Sequence, residues 1–116
     1  MKPGILIIIE SDPRLNGRPA EAVRIAAGVG AWGKVDVAVY LRGAAVAVLG
    51  QQAEALVDGE NYTRYLPLLR DSSRPLYVQQ GAVASGRLAD AEWPFEEISD
   101  EQLAGLAASR PCVLRF

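Results

Sequence analysis

The stretch Gly4-Ile5-Leu6-Ile7-Ile8-Ile9-Glu10 decides the fold class. Its apolar residues run on without polar alternation, which suits a strand covered on both faces, as in a parallel sheet with helices on either side. Asp12-Pro13 and Asn16-Gly17 mark a loop after it. From Arg18 the chain reads as a helix, with Pro19 tolerated in the first turn and Ala22, Ile25, Ala26 and Val29 as its apolar stripe. Trp32 and Gly33 close that helix. Residues 35–41, Val-Asp-Val-Ala-Val-Tyr-Leu, predict a second strand.

Further along, Arg42-Gly43 leads into a small-residue helix over Ala44 to Leu49, and residues 51–60 read as a loop or single turn. Tyr62, Tyr65, Leu66 and Leu69 recur at helical spacing, and Pro67 predicts a kink or a restart there. Leu76-Tyr77-Val78 is a third strand, followed by a short helix from about Gly81 to Ser85. Phe95 to Ile98 forms a weak fourth strand. Ser99-Asp100-Glu101-Gln102 has the form of a helix N-cap with an acidic first turn, leading into a helix over about 100–109. Cys112 to Phe116 closes the chain as a fifth strand. Strands alternating with helices predict a single three-layer α/β domain over residues 1–116 with a mostly parallel sheet.

Composition narrows the chemistry. The chain has 116 residues, no histidine, one cysteine, and 12 Lys+Arg against 14 Asp+Glu. A net charge of −2 offers no surplus of positive charge for nucleic acid or an anionic membrane. Without histidine and with a lone thiol, Ser–His and Cys–His mechanisms, most metal sites and any internal disulfide are excluded. The apolar run 5–9 is far shorter than the roughly 20 residues that span a bilayer, and Glu10, Ser11 and Asp12 stop it at once. A cytoplasmic location is the default expectation.

In an open parallel sheet, ligands gather beyond the carboxyl ends of the strands. That places Glu10, Ser11, Arg42, Gln79 and Gln80 as the candidate binding residues. Arg42 beside Gly43 has the make-up of a small-anion site; a salt bridge from Arg42 to Glu10 or Asp12, or a contact to another subunit, is the plainer reading. Glu10 and Asp12 form a carboxylate pair only by proximity, and solvation or capping explains them better than acid–base work. Gly28-Val29-Gly30 follows no strand, so it is no dinucleotide fingerprint. Asp58-Gly59-Glu60-Asn61 lacks calcium-loop spacing. Cys112, beside Val113 and Leu114, reads as a buried, inert thiol. Tyr62 and Tyr65 fit core positions, whereas Trp93 and Phe95 flank a connection where aromatics also anchor partners.

Several strings resemble the DsrE/DsrF-like proteins of sulfur trafficking, including their TusC-type branch. They are Leu-Gly-Gln-Gln at 49–52, Glu-Asn-Tyr at 60–62, Leu-Pro-Leu-Leu at 66–69, Leu-Tyr-Val at 76–78, Gly-Arg-Leu at 86–88 and Val-Leu-Arg-Phe at 113–116. The resemblance spans the whole chain. It implies a three-layer α/β/α domain assembling as a trimer or hexamer, with itself or with related DsrE-family subunits, and no cofactor. In such proteins one subunit carries persulfide sulfur on a cysteine just after the third strand, which falls here at Gln79. The second cysteine of some relatives falls at Ala82. An amide cannot replace a thiolate nucleophile, so the expectation is a non-catalytic assembly or docking subunit. A small-ligand or anion-binding domain is the alternative.

Overall fold

A computed structural model describes residues 3–70 and 76–116. The chain runs through β1 (Gly4–Ile9), α1 (Arg18–Trp32), β2 (Asp36–Leu41), 3-10 segments over Gly43–Leu49 and Ala53–Ala55, and α2 (Glu60–Arg70). It continues through β3 (Leu76–Gln79), β4 (Phe95–Ile98), α3 (Asp100–Ala108) and β5 (Cys112–Arg115). The strands form one sheet in the order β4-β3-β2-β1-β5, with every neighbouring pair parallel. The expected α/β domain with a five-stranded sheet is therefore present, and the sheet is wholly rather than mostly parallel.

Topology explains why the first strand lacks alternation. β1 is central, and successive residues point to opposite faces, so both faces need cover. Ile7 and Ile9 join Val39, Leu41, Leu76 and Val78 in the larger core, beneath α1, α2 and the 3-10 segments. Leu6 and Ile8 join Ala38, Tyr40 and Ile98 on the other face, where Leu103, Leu106 and Ala107 of α3 cover them. The chain steps across the sheet from β1 to β4 and then returns to the far side of β1 for β5. Right-handed crossovers in opposite directions put α3 alone on its face.

Helix boundaries follow local chemistry. Asn16 accepts the Arg18 N–H through its side-chain oxygen at 2.9 Å, Pro19 enters the first turn, and Gly33 ends α1. Ala20, Ala22, Val23, Ala26 and Ala27 are buried, whereas Ile25 and Val29 are only half-buried. The buried stripe is thus rotated from the expected one, because α1 packs against both the sheet and α2, and small residues suit that second contact. α2 continues through Pro67 without restarting. The bond that Pro67 forgoes would end on Thr63, an exposed residue whose carbonyl water can serve. Ser99 caps α3 in a complete capping box: its hydroxyl accepts the Gln102 N–H at 3.1 Å and Gln102 Oε1 accepts the Ser99 N–H at 2.8 Å.

Two expected helices differ. Gly43–Leu49 is a 3-10 segment rather than an α-helix, flanked by Gly43 and Gly50. Residues 81–85 form turns, not a helix. Gly81 and Gly86 stand at φ 94° and 81°, a left-handed conformation that interrupts a right-handed helix, and Glu97 draws two amides of the segment to itself. In the Asp58-Gly59 turn, a Cβ on Gly59 would lie 2.2 Å from the Glu54 carbonyl oxygen, so backbone approach demands glycine there.

Candidate functional site

Because all strands run in one direction, their carboxyl ends share one edge, and the register decides which side chains meet there. Ile9 pairs with Leu41, and Leu41 with Val78. One residue further, Glu10, Arg42 and Gln79 occupy neighbouring positions, and Gln79 itself pairs with Ile98. Ile8, Tyr40 and Ile98 all belong to the α3 face. With side chains alternating, Glu10, Arg42 and Gln79 fall into one row on that face. Ser11 and Gln80 take the opposite parity and leave the row. The Gln80 N–H donates to the Ile98 carbonyl at 3.0 Å, and the Glu10 and Ser11 N–H groups both donate to the Phe116 carbonyl.

Gln79 links two of the loops directly. Its Oε1 accepts the Gly43 N–H at 3.1 Å, tying the start of the 3-10 segment to the end of β3. Arg42 is half-buried and makes no ion pair among the described residues, so the salt bridge to Glu10 or Asp12 is absent, and of the plainer readings only a contact to another subunit stands. Asp12 instead takes Arg14 through both carboxylate oxygens, at 3.0 and 2.8 Å. Those bonds hold the Asp12 carboxyl below its ordinary range, so it is a poor general base near neutrality. Below the row lies Tyr40, fully buried, its hydroxyl without a partner. Burial pushes the Tyr40 pKa up, Arg42 works against that, and Asp100 adds to it.

Two features of this edge escaped sequence reasoning. The Glu97 carboxylate accepts the Gly81 and Val83 N–H groups, both at 3.1 Å, and thereby fills the backbone amides an anion would otherwise meet after β3. Arg14 and Arg87 flank a cavity of about 310 Å³ floored by Ala44, Val46 and Ala47. Nothing local marked these arginines, since each interacts within its own loop, with Asp12 and Ser85 respectively.

The thiol lies elsewhere. Cys112 pairs with Ile5, five positions before Glu10 on β1, which is about 16 Å along the strand. It is half-buried rather than buried, because β5 is an edge strand with one unpaired side. Among the described residues no cluster of His, Cys, Asp and Glu could hold a metal ion, and no helix is long and apolar enough to cross a membrane.

Fold and edge together define the class, an α/β domain with a wholly parallel sheet of order β4-β3-β2-β1-β5 and its strand-end loops at one edge. A particular solved structure shares it. The YchN protein from E. coli matches with a TM-score of 0.80 over 100% of both chains, at 20% sequence identity. No protein-family model and no curated protein matches the sequence. The likeness establishes the fold that the DsrE/DsrF resemblance implied.

Proposed function

We propose that this chain is a non-catalytic DsrE/DsrF-like subunit that assembles with itself or with related subunits and offers a docking surface to sulfur-handling partners in the cytoplasm. The observation that carries this reading is at Gln79. Where the resemblance implies a sulfur-bearing thiol stands an amide, and its oxygen is already engaged by the Gly43 N–H. The sole thiol, Cys112, belongs to the opposite end of the sheet. Assembly is supported by exposed apolar side chains: Val113 and Leu114 on the edge strand are 39% and 37% exposed, and Trp32 is 64% exposed. A trimer or hexamer is the expected state. Incubation with a persulfide donor followed by intact mass should leave the protein unmodified; rapid stoichiometric sulfur loading on Cys112 would overturn the reading. A monomer by light scattering at micromolar concentration would remove its assembly half.

The row of Glu10, Arg42 and Gln79 favours a second reading, a small-ligand or anion-binding domain at the strand ends, with Ser11 and Gln80 at its rim. Arg42 is the cation of that site and is free of an internal ion pair among the described residues. Thermal shifts across nucleotides and small anions should be positive for the wild type and lost in Arg42→Ala. Identical behaviour of the two proteins would reject this reading.

A further inference from the structure

The two outer strands of the sheet, β4 and β5, carry opposite charges at matching levels. Strand register puts Arg115, Ile8, Tyr40, Tyr77 and Glu96 in one row across all five strands. That row lies on the α3 face and ends in an exposed cation on β5 and an exposed anion on β4. One step back, on the α1 face, Leu114 pairs with Ile7 and Phe95 with Leu76, and Leu114 is 37% exposed. One step forward, Glu97 pairs with Val78 on that same face, level with Phe116, and Arg18 lies over the Phe116 ring. The β5 edge is thus basic on both faces and the β4 edge acidic on both. Among the described residues none of Arg18, Arg115, Glu96 and Glu97 is in an ion pair.

The backbone is in phase as well. The Phe116 N–H donates to the Ile8 carbonyl and the Phe116 carbonyl accepts the Glu10 N–H, so the polar groups of Val113 and Arg115, by alternation, point away from β1. The Gln80 N–H donates to the Ile98 carbonyl, so those of Phe95 and Glu97 point away from β3. Setting Arg115 beside Glu96 of another copy therefore brings three donors to acceptors: the Phe95 N–H to the Val113 carbonyl, the Arg115 N–H to the Phe95 carbonyl, and the Glu97 N–H to the Arg115 carbonyl. Arg18 donates to the Arg115 carbonyl at 3.3 Å, and a carbonyl oxygen accepts twice.

We propose that this chain associates head to tail with a second copy of itself, the β5 edge of one pairing in parallel with the β4 edge of the next. Arg115 then stands beside Glu96, Leu114 beside Phe95, and Arg18 toward Glu97, which gives only one carboxylate oxygen to its own loop. Pairing β4 with β4 would set acid against acid, and β5 with β5 leaves both arginines without a carboxylate. The two surfaces differ, so the contact is heterologous: it closes as a ring, a trimer included, or extends as a fibre, whereas an isologous contact stops at two. The proposal rests on the assembly reading above and names the surface that carries it.

Light scattering of the full chain up to roughly 100 μM should find an oligomer. Arg115→Glu and Glu96→Arg each set like charges side by side and should weaken association about tenfold, while the double variant with both exchanges should restore it. Both positions are exposed, so circular dichroism should be unchanged. Hydrogen exchange of the Phe95, Arg115 and Glu97 amides should slow as the wild type is concentrated and not in Arg115→Glu. A wild-type monomer at that concentration overturns this pairing and the assembly reading together. An oligomer that withstands both single reversals, or that leaves these three amides exchanging as in the dilute protein, overturns the pairing alone, since assembly then uses another face.

Discussion

Replacing Gln79 with alanine removes the only side-chain acceptor that the described structure gives to the Gly43 N–H. A neutral hydrogen bond of this kind contributes about 1 kcal/mol net, and a stranded buried donor costs about 1–3 kcal/mol. Gly43 and Gln79 are both half-buried, so water reaches the site partly and the lower part of that range applies. Gln79→Ala should therefore lose about 1–2 kcal/mol, lowering Tm by about 4–8 °C at about 4 °C per kcal/mol for a chain of this size. Urea denaturation should show a shifted midpoint at unchanged slope, because the surface exposed on unfolding hardly changes. Gln79→Glu keeps an acceptor for the same N–H and stands beside Arg42, so it should restore wild-type stability at neutral pH. Amide hydrogen exchange at Gly43 localises the effect: it should quicken in the alanine variant and not in the glutamate variant. An unchanged midpoint with unchanged Gly43 exchange in Gln79→Ala would refute the linkage of these two loops through the amide.

Other perturbations test separate parts of the account. Ser99→Ala removes the hydroxyl half of the α3 capping box, the acceptor for the Gln102 N–H, and should cost about 1 kcal/mol by denaturation, with the loss concentrated in exchange of the α3 amides. The Asp12 carboxyl is depressed by Arg14, so its contribution is present above the ordinary value and is lost as pH falls through the lowered one; in Arg14→Ala a carbon-13 titration should find Asp12 returned toward 3.8. Cys112→Ala, at a half-buried position on an edge strand, should cost no more than about 1 kcal/mol by denaturation.

Strand β1 was legible because a central parallel strand must be apolar on both sides, and no other reading accommodates 5–9 followed at once by Glu10. The α1 ends and the Ser99 cap were legible for the same reason, that a proline, a glycine or a capping serine acts locally. The burial of Ala20, Val23 and Ala27 was not, since alanine is compatible with either side of a helix and only the approach of α2 decides. The expected helix at 81–85 failed against a long-range competitor, the Glu97 carboxylate taking the Gly81 and Val83 amides. Of the candidate site residues, Glu10, Arg42 and Gln79 become one row only through strand register, which short strings do not carry. Ser11 and Gln80 fail to join by a single step of parity.

The row then bears on chemistry. Its members supply an acceptor at Glu10, a guanidinium at Arg42 and the donor half of an amide whose oxygen is committed to Gly43. None is a thiol or a hydroxyl, and the nearby Asp12 carboxyl is held below its ordinary range by Arg14. A thiol introduced at 79 would sit beside Arg42 and near the Gly43 amide, surroundings that favour a thiolate. An edge that presents cationic and amide donors is equipped for recognition, and that is the chemistry on which both the docking and the anion-binding readings depend.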